Sequence, residues 1–252
     1  MRKTLGLLLS LILVFSIVAS VGVVVFASAR KPDVVPPLLE KRVFIHYKKG
    51  FGKPPSTPGQ GSPPKEQDHS DHYKLLGVKW KTTPVSYVID PDNPQGLTEA
   101  FIVSAVSGGA EEWDAHTTIE LFNNAYVVVH DATFDTDAPD GRNEVLFGDY
   151  PKAGVIAVTV VWGYFGGPLG LRRIIEFDMM FDTDFTWGDA TVLGGAVMDV
   201  QNIATHEFGH GVGLGDYNLC ELETMYGYSS YGETIKRDLY TGDTAGIQKL
   251  YG

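Results

Sequence analysis

The chain holds one cysteine, Cys220, among its 252 residues. No disulfide can close within it, so packing and metal are left to hold the fold. Basic residues are also scarce, with 20 Lys and Arg against 31 Asp and Glu and a formal net charge of −11. Such a surface repels a phosphate backbone, which excludes nucleic acid as an expected partner. The same acidity suits carboxylate-rich loops that take calcium. Histidine is missing from Asp131 to Thr205. Internal repeats of useful length are missing too, since the Phe-Asp-Thr-Asp found at 134 and again at 181 is too short to carry weight.

What is present begins with Arg2 and Lys3, followed by an uncharged, Leu- and Val-rich run from Thr4 to Ala29 that ends Ala27-Ser28-Ala29. This order is that of an export signal with a small-residue cleavage site. The run exceeds the roughly 7 to 15 apolar residues of a signal segment and approaches the roughly 20 that span a bilayer. Residues 1–29 are therefore a signal peptide or an uncleaved membrane anchor, and the remainder is secreted or tethered outside the membrane. Residues 30–72 read as a Pro/Gly-rich linker or pro-segment, in which Pro54-Pro55, Pro58 and Pro63-Pro64 deny a regular ladder. Within it, Arg42 to Tyr47 can form one short strand. His46, His69 and His72 could touch a metal, but the segment's composition favours solvated linker histidines.

Residues 73–252 carry enough apolar material for one domain core. Val85 to Ile89 is a β-branched and aromatic run, and Tyr126 to Val129 reads as a buried strand. Thr98 caps a helix whose stripe of Ile102, Ala105, Val106, Gly109, Ala110 and Trp113 should lie on a sheet. Gly108 and Gly109 cost that helix about 1 kcal/mol each, and close approach to strands is the expected return. Asp131 to Asp140 reads as a solvated turn. Val155 to Trp162 is apolar on both faces, whereas Ile175, Phe177, Met179 and Phe181 alternate with charged residues and predict a half-exposed strand.

The chemistry concentrates in Thr205 to Asp216, T-H-E-F-G-H-G-V-G-L-G-D. On a helix, His206 and His210 lie four apart and project two imidazoles into one small volume, as two metal ligands would. Glu207 is placed to act as general base on a water at that metal. Catalytic zinc takes three protein ligands, and a glycine at Gly213 can turn the chain back so that Asp216 supplies the third. A surface helix with solvated histidines would show the five-residue core by chance more readily than the extended pattern.

His206, Glu207, His210, Gly213 and Asp216, followed by Met225, resemble the metzincin signature with its methionine turn, and within it the matrixin branch. The family form ends in a third histidine where this chain has Asp216; an oxygen ligand also suits zinc. The resemblance extends from Trp80 to the closing Asp243-x-x-Gly246-Ile247-Gln248 and Leu250-Tyr251-Gly252. It implies an α+β fold: a twisted mixed sheet of about five strands, an active-site helix and a C-terminal helix. It implies that Met225 packs beneath the zinc ligands without binding. Asp182 and Asp184, near Trp187, resemble a matrixin calcium segment. No second zinc is expected between Asp131 and Thr205, and residues 30–80 offer no cysteine to silence the zinc, as matrixin pro-segments often do.

The expected activity is that of an exported zinc-dependent endopeptidase acting on polypeptides, with Zn2+ as cofactor and Ca2+ as a further one. Substrate would lie extended along a free sheet edge, with Ala157 to Val161 as the candidate strand. Two alternatives stay open: a catalytically inactive protein that keeps the fold for binding, and a zinc hydrolase acting on a non-peptide amide or ester.

Overall fold

The structure, a computed structural model, describes residues 37–52 and 69–252. The expected export segment, and the linker at 30–36 and 53–68, lie outside the described residues. Among the described residues no helix is long and apolar enough to cross a membrane. The strands are β1 (Glu40–Lys48), β2 (Lys74–Leu75), β3 (Val88–Ile89), β4 (Val127–Val128), β5 (Glu144–Gly148), β6 (Val155–Tyr164), β7 (Arg173–Asp182), β8 (Trp187–Gly188), β9 (Met198–Asp199), β10 (Leu214–Gly215) and β11 (Tyr228–Ser229). The α-helices are α1 (Glu99–Asp114), α2 (Ala190–Leu193), α3 (Val200–Gly211) and α4 (Thr241–Tyr251).

One mixed sheet runs in the order β11-β1-β6-β7-β5-β3-β4. The resemblance implies about five strands, and β3 to β7 make up that number, β5 without a sequence-based expectation behind it. β7, β5, β3 and β4 run parallel, and β6 returns antiparallel to β7. The sheet reaches seven because β1 pairs antiparallel with β6 along its length, and β11 pairs parallel with β1. A strand apolar on both faces must be covered on both, and β6 is buried from Val155 to Gly163. The edge that was expected to stand free for substrate is covered by the chain's own residues 40–48.

Three sequence-based expectations need correction. β4 is not a buried strand: it ends the sheet, pairs on one side only, and leaves Val127 56% exposed. β7 is not half exposed, because Glu176 and Asp178 are buried. The Asp131–Gly141 loop folds over that face. Backbone N–H groups of Asp140 and Gly141 donate to Glu176, and that of Asp135 donates to Asp178 Oδ2 at 3.2 Å. Alternation of charged and apolar residues here marks a face solvated by backbone amides in place of water.

The third concerns α1. Its predicted stripe is buried in full and Thr98 caps it as expected, but the close approach is to α3. A Cβ at Gly109 would stand 2.8 Å from the Thr205 backbone nitrogen and 3.0 Å from Ala204. Trp113 Nε1 donates to the Thr205 carbonyl at 2.7 Å across the same contact. Gly108 instead faces the flexible Gln201 side chain.

These two neighbouring glycines give opposed expectations. Alanine improves helix propensity by about 1 kcal/mol at either site. At Gly109 the added methyl meets backbone that cannot yield, so Gly109→Ala should destabilise by about 1–3 kcal/mol net. Gly108→Ala should be neutral or stabilising. Denaturant midpoints of the two variants check this, and equal midpoints would remove the tight α1–α3 contact from the account.

Candidate metal centre and cleft

α3 starts at Asp199, whose Oδ1 accepts from the Asn202 N–H at 2.8 Å. Arg237 Nε holds that carboxylate at 2.8 Å. The helix is sandwiched between α1 and the sheet, so His206, Glu207 and His210 are all buried. Its end is set by Gly213, at φ 109°, where a Cβ would also collide with the Val78 carbonyl. Trp80 Nε1 donates to the Gly211 carbonyl at 2.8 Å and Tyr251 Oη to that of Val212 at 2.9 Å. Trp80 and Tyr251 thus take up carbonyls left free at the end of α3.

Beyond Gly213 the chain turns through β10 and returns Asp216. His206 Nδ1 donates to the Thr224 carbonyl at 2.7 Å and His210 Nδ1 to that of Leu214 at 2.9 Å. Those bonds leave both Nε2 lone pairs pointing inward, 3.1 Å apart. Asp216 Oδ1 stands 3.5 Å from each Nε2, buried and without a hydrogen-bond partner. Ligands about 2.0–2.2 Å from a tetrahedral centre are about 3.3–3.6 Å apart. The three donor atoms therefore fit a zinc ion by spacing, tautomer and an otherwise orphaned oxygen. Burial pushes the Asp216 carboxyl up, but the facing His210 and His206 outweigh it and hold it well below the carboxylate range. Gly227 leaves the room, since a Cβ there would lie 2.8 Å from Asp216 Oδ1.

Met225 is fully buried, and its Sδ and the Trp113 ring occupy the space a side chain at Gly209 would need. Asp243, in the C-terminal motif, holds the turn itself: its carboxylate accepts from Thr224 N at 2.5 Å and Met225 N at 3.1 Å.

Glu207 Oε2 accepts from Thr159 Oγ1 of β6 at 2.5 Å, and Oε1 faces His46 Nδ1 of β1 at 3.3 Å. His46 is not a solvated linker residue but is 1% exposed. Its Nε2 lies 2.9 Å from the Ser229 hydroxyl, and its ring meets His206 edge-on at 4.1 Å between centroids. Burial, and then the neighbouring His206, push its pKa down to about 3, so it is neutral at physiological pH. Phe44, two residues earlier on the same face, stacks on the His210 ring at 4.0 Å. The strand propensity of residues 42–47 was readable; its partner, more than a hundred residues away, was not.

His69 and His72, also read as linker residues, are largely buried beside Cys220 and Glu223. Asp182 is buried and its Oδ1 accepts from the backbone N–H of Asp184, whose side chain is exposed. A tighter acidic group forms where the solvated loop was expected, with carboxylates of Asp135, Asp140 and Glu176 within 4.8 Å of one another.

The family model described as Matrixin matches residues 79–252. The chain belongs to the matrixin family. It is similar to matrix metalloproteinase-16 of Homo sapiens, 27% identical over 188 residues, covering 71% of this chain and 28% of the relative. Metalloendoproteinase 2-MMP of Arabidopsis thaliana is 30% identical over 176 residues, covering 67% of this chain and 41% of the relative. Matrilysin of Homo sapiens is 37% identical over 75 residues, covering 30% of this chain and 27% of the relative. This matrixin thus matches less than half the length of each of these relatives. Its α+β architecture is that of the family, and β1 lies outside the matched residues.

The geometry assigns Asp216 a measurable weight in metal affinity. Asp216→Ala should lose zinc on mild dialysis, and Asp216→Asn should bind it more weakly by losing charge. Asp216→His should keep stoichiometric zinc. Metal content of the four dialysed proteins checks this, and equal retention by wild type and Asp216→Ala would remove Asp216 from the site.

Proposed function

We propose that this matrixin is an exported zinc endopeptidase whose substrate cleft is filled by its own residues 40–48. Family membership supports a zinc metalloendopeptidase kind of function. The observation that carries the proposal is the convergence of His206, His210 and Asp216 on one point beside Glu207, with β1 lying across them. The relatives include the metalloproteinases named above, in keeping with a polypeptide substrate outside the cell, secreted or membrane-anchored.

His206, His210 and Asp216 would hold the zinc ion, which would supply Lewis acidity for attack of water on the scissile carbonyl. Glu207 takes the water proton at Oε1 and hands it to the leaving amine, while Thr159 fixes Oε2 and so the direction of the carboxylate. β1 is the template for an extended polypeptide in this reading: antiparallel to β6, with Phe44 opposite Thr159 and His46 opposite Ala157, and parallel to β11, with Tyr47 opposite Tyr228. In that position His46 blocks the one oxygen the base needs. The strand must leave, or be cut away, before substrate enters. This gives residues 30–72 the role of pro-segment over that of linker, with a histidine in place of the missing cysteine.

Hydrolysis of a quenched fluorescent peptide library by the full chain tests both parts. Phe44→Lys together with His46→Lys should raise the rate at least about tenfold, the factor for about 1.4 kcal/mol of lost docking. Adding Glu207→Gln to that protein should lower the rate by about 10²–10⁴ with zinc retained. Unchanged hydrolysis on loss of Glu207 would sink the base, and a zinc-loaded opened chain without peptidase activity would favour the binding or non-peptide alternatives.

For calcium, the carboxylates of Asp135, Asp140 and Glu176, with Asp178 beside them, form a stronger candidate than Asp182 and Asp184. Burial pushes Glu176 up to about 7 and Asp178 up to about 8, with neighbouring carboxylates adding to both. Folded-state values above the ordinary ones mean the cation-free fold binds more protons than the unfolded chain, so its stability falls as pH rises from about 4 to 8. A divalent cation offsets that charge. The rise in Tm caused by calcium should therefore be larger at pH 8 than at pH 5, and an equal or absent rise would count against this cluster.

A further inference from the structure

We propose that His69, His72, Cys220 and Glu223 form a second, structural zinc site that ties the segment just before the matrixin domain to the loop between Asp216 and Met225. His69 and His72 sit at the two ends of a short 3₁₀ turn that runs to Asp71, and Cys220 and Glu223 repeat the same three-residue spacing in the loop. Two such pairs from distant parts of a chain are the usual make-up of a closed zinc site.

Four donor atoms converge, all within 4.8 Å of one another. His69 Nδ1 lies 2.9 Å from His72 Nδ1 and 3.7 Å from Cys220 Sγ. Glu223 Oε1 lies 3.7 Å from His69 Nδ1 and 3.5 Å from His72 Nδ1. A tetrahedral zinc with bonds of about 2.0–2.1 Å to nitrogen and oxygen and about 2.3 Å to sulfur separates its ligands by about 3.3–3.7 Å. Their contacts with one another leave the carboxylate unsatisfied. Glu223 is fully buried, its Oε2 accepts from Asp243 N at 3.1 Å, and its Oε1, aimed at the histidines, has no hydrogen-bond partner. A carboxylate oxygen, two imidazole nitrogens and a thiol packed this closely call for a cation.

The rings are also held as ligands are held. Tyr217 stacks on His72 at 5.0 Å and Tyr240 meets His69 edge-on at 5.3 Å. Asp71 Oδ1 stands 3.8 Å from His72 Nε2, which favours the tautomer with the Nδ1 lone pair free. With four protein ligands no position remains for water, so the site is structural. Its position gives it leverage: Glu223 precedes Thr224, whose carbonyl orients His206, and Met225. The chain entering from the pro-segment is thereby fastened beside the catalytic metal.

Cobalt(II) loading of the full chain tests this through a signal the catalytic cradle cannot give, because that cradle has no sulfur ligand. Wild type should show a thiolate-to-cobalt charge-transfer band in the near ultraviolet. Cys220→Ser should lose it, and His206→Ala with His210→Ala should keep it. Wild-type protein alone gives a second reading: Cys220 in the zinc-loaded chain should react with a thiol reagent at least tenfold more slowly than after chelation. Cobalt-loaded wild type without the band would overturn the site, as would a Cys220 equally reactive before and after chelation.

Discussion

Two imidazole nitrogens of α3 and one carboxylate oxygen of the loop after it face a common point beneath Phe44 and His46 of β1, and their partners have been arranged so that none can satisfy the others. The backbone carbonyls of Thr224 and Leu214 fix both imidazole tautomers, and Asp216 Oδ1 has no donor. Burying such a set is costly without a cation. Around it, the positive φ of Gly213 returns the chain, Gly227 leaves space for Asp216, and Gly209 makes room for Met225. Asp243 secures the turn from below. Much of the C-terminal half of the chain is explained as support for that one point.

The same economy governs the cleft. β6 has one neighbour from the matched domain, β7, and its other edge would be an open ladder. β1 closes that edge with main-chain pairing and places Phe44 on His210 and His46 on His206 and Glu207. Main-chain pairing is indifferent to side-chain identity, so the edge of β6 can pair with any extended segment. A neutral buried histidine serves as occupant where a charged residue would meet a heavier desolvation cost.

How much of this was legible in the sequence depended on distance along the chain. α3, the Gly213 turn, Asp216 and Met225 were readable because a metal-ligand pattern has short spacings. The stripe on α1 was readable as buried, yet not as facing α3, because a helical period gives the buried face and not its partner. Glu176 and Asp178 were misread as wet because alternation cannot distinguish water from the amides of a covering loop. His46, His69 and His72 were misread as linker histidines because composition around them is polar, while their partners Glu207, Cys220 and Glu223 lie far along the chain.

Anomalous diffraction at the zinc edge from crystals of the zinc-loaded full chain tests the central claim most directly. The account predicts a peak bonded at once to His206 Nε2, His210 Nε2 and Asp216 Oδ1, with β1 still paired to β6. A zinc-loaded crystal with no peak at that point, or with Asp216 turned to solvent, would contradict it.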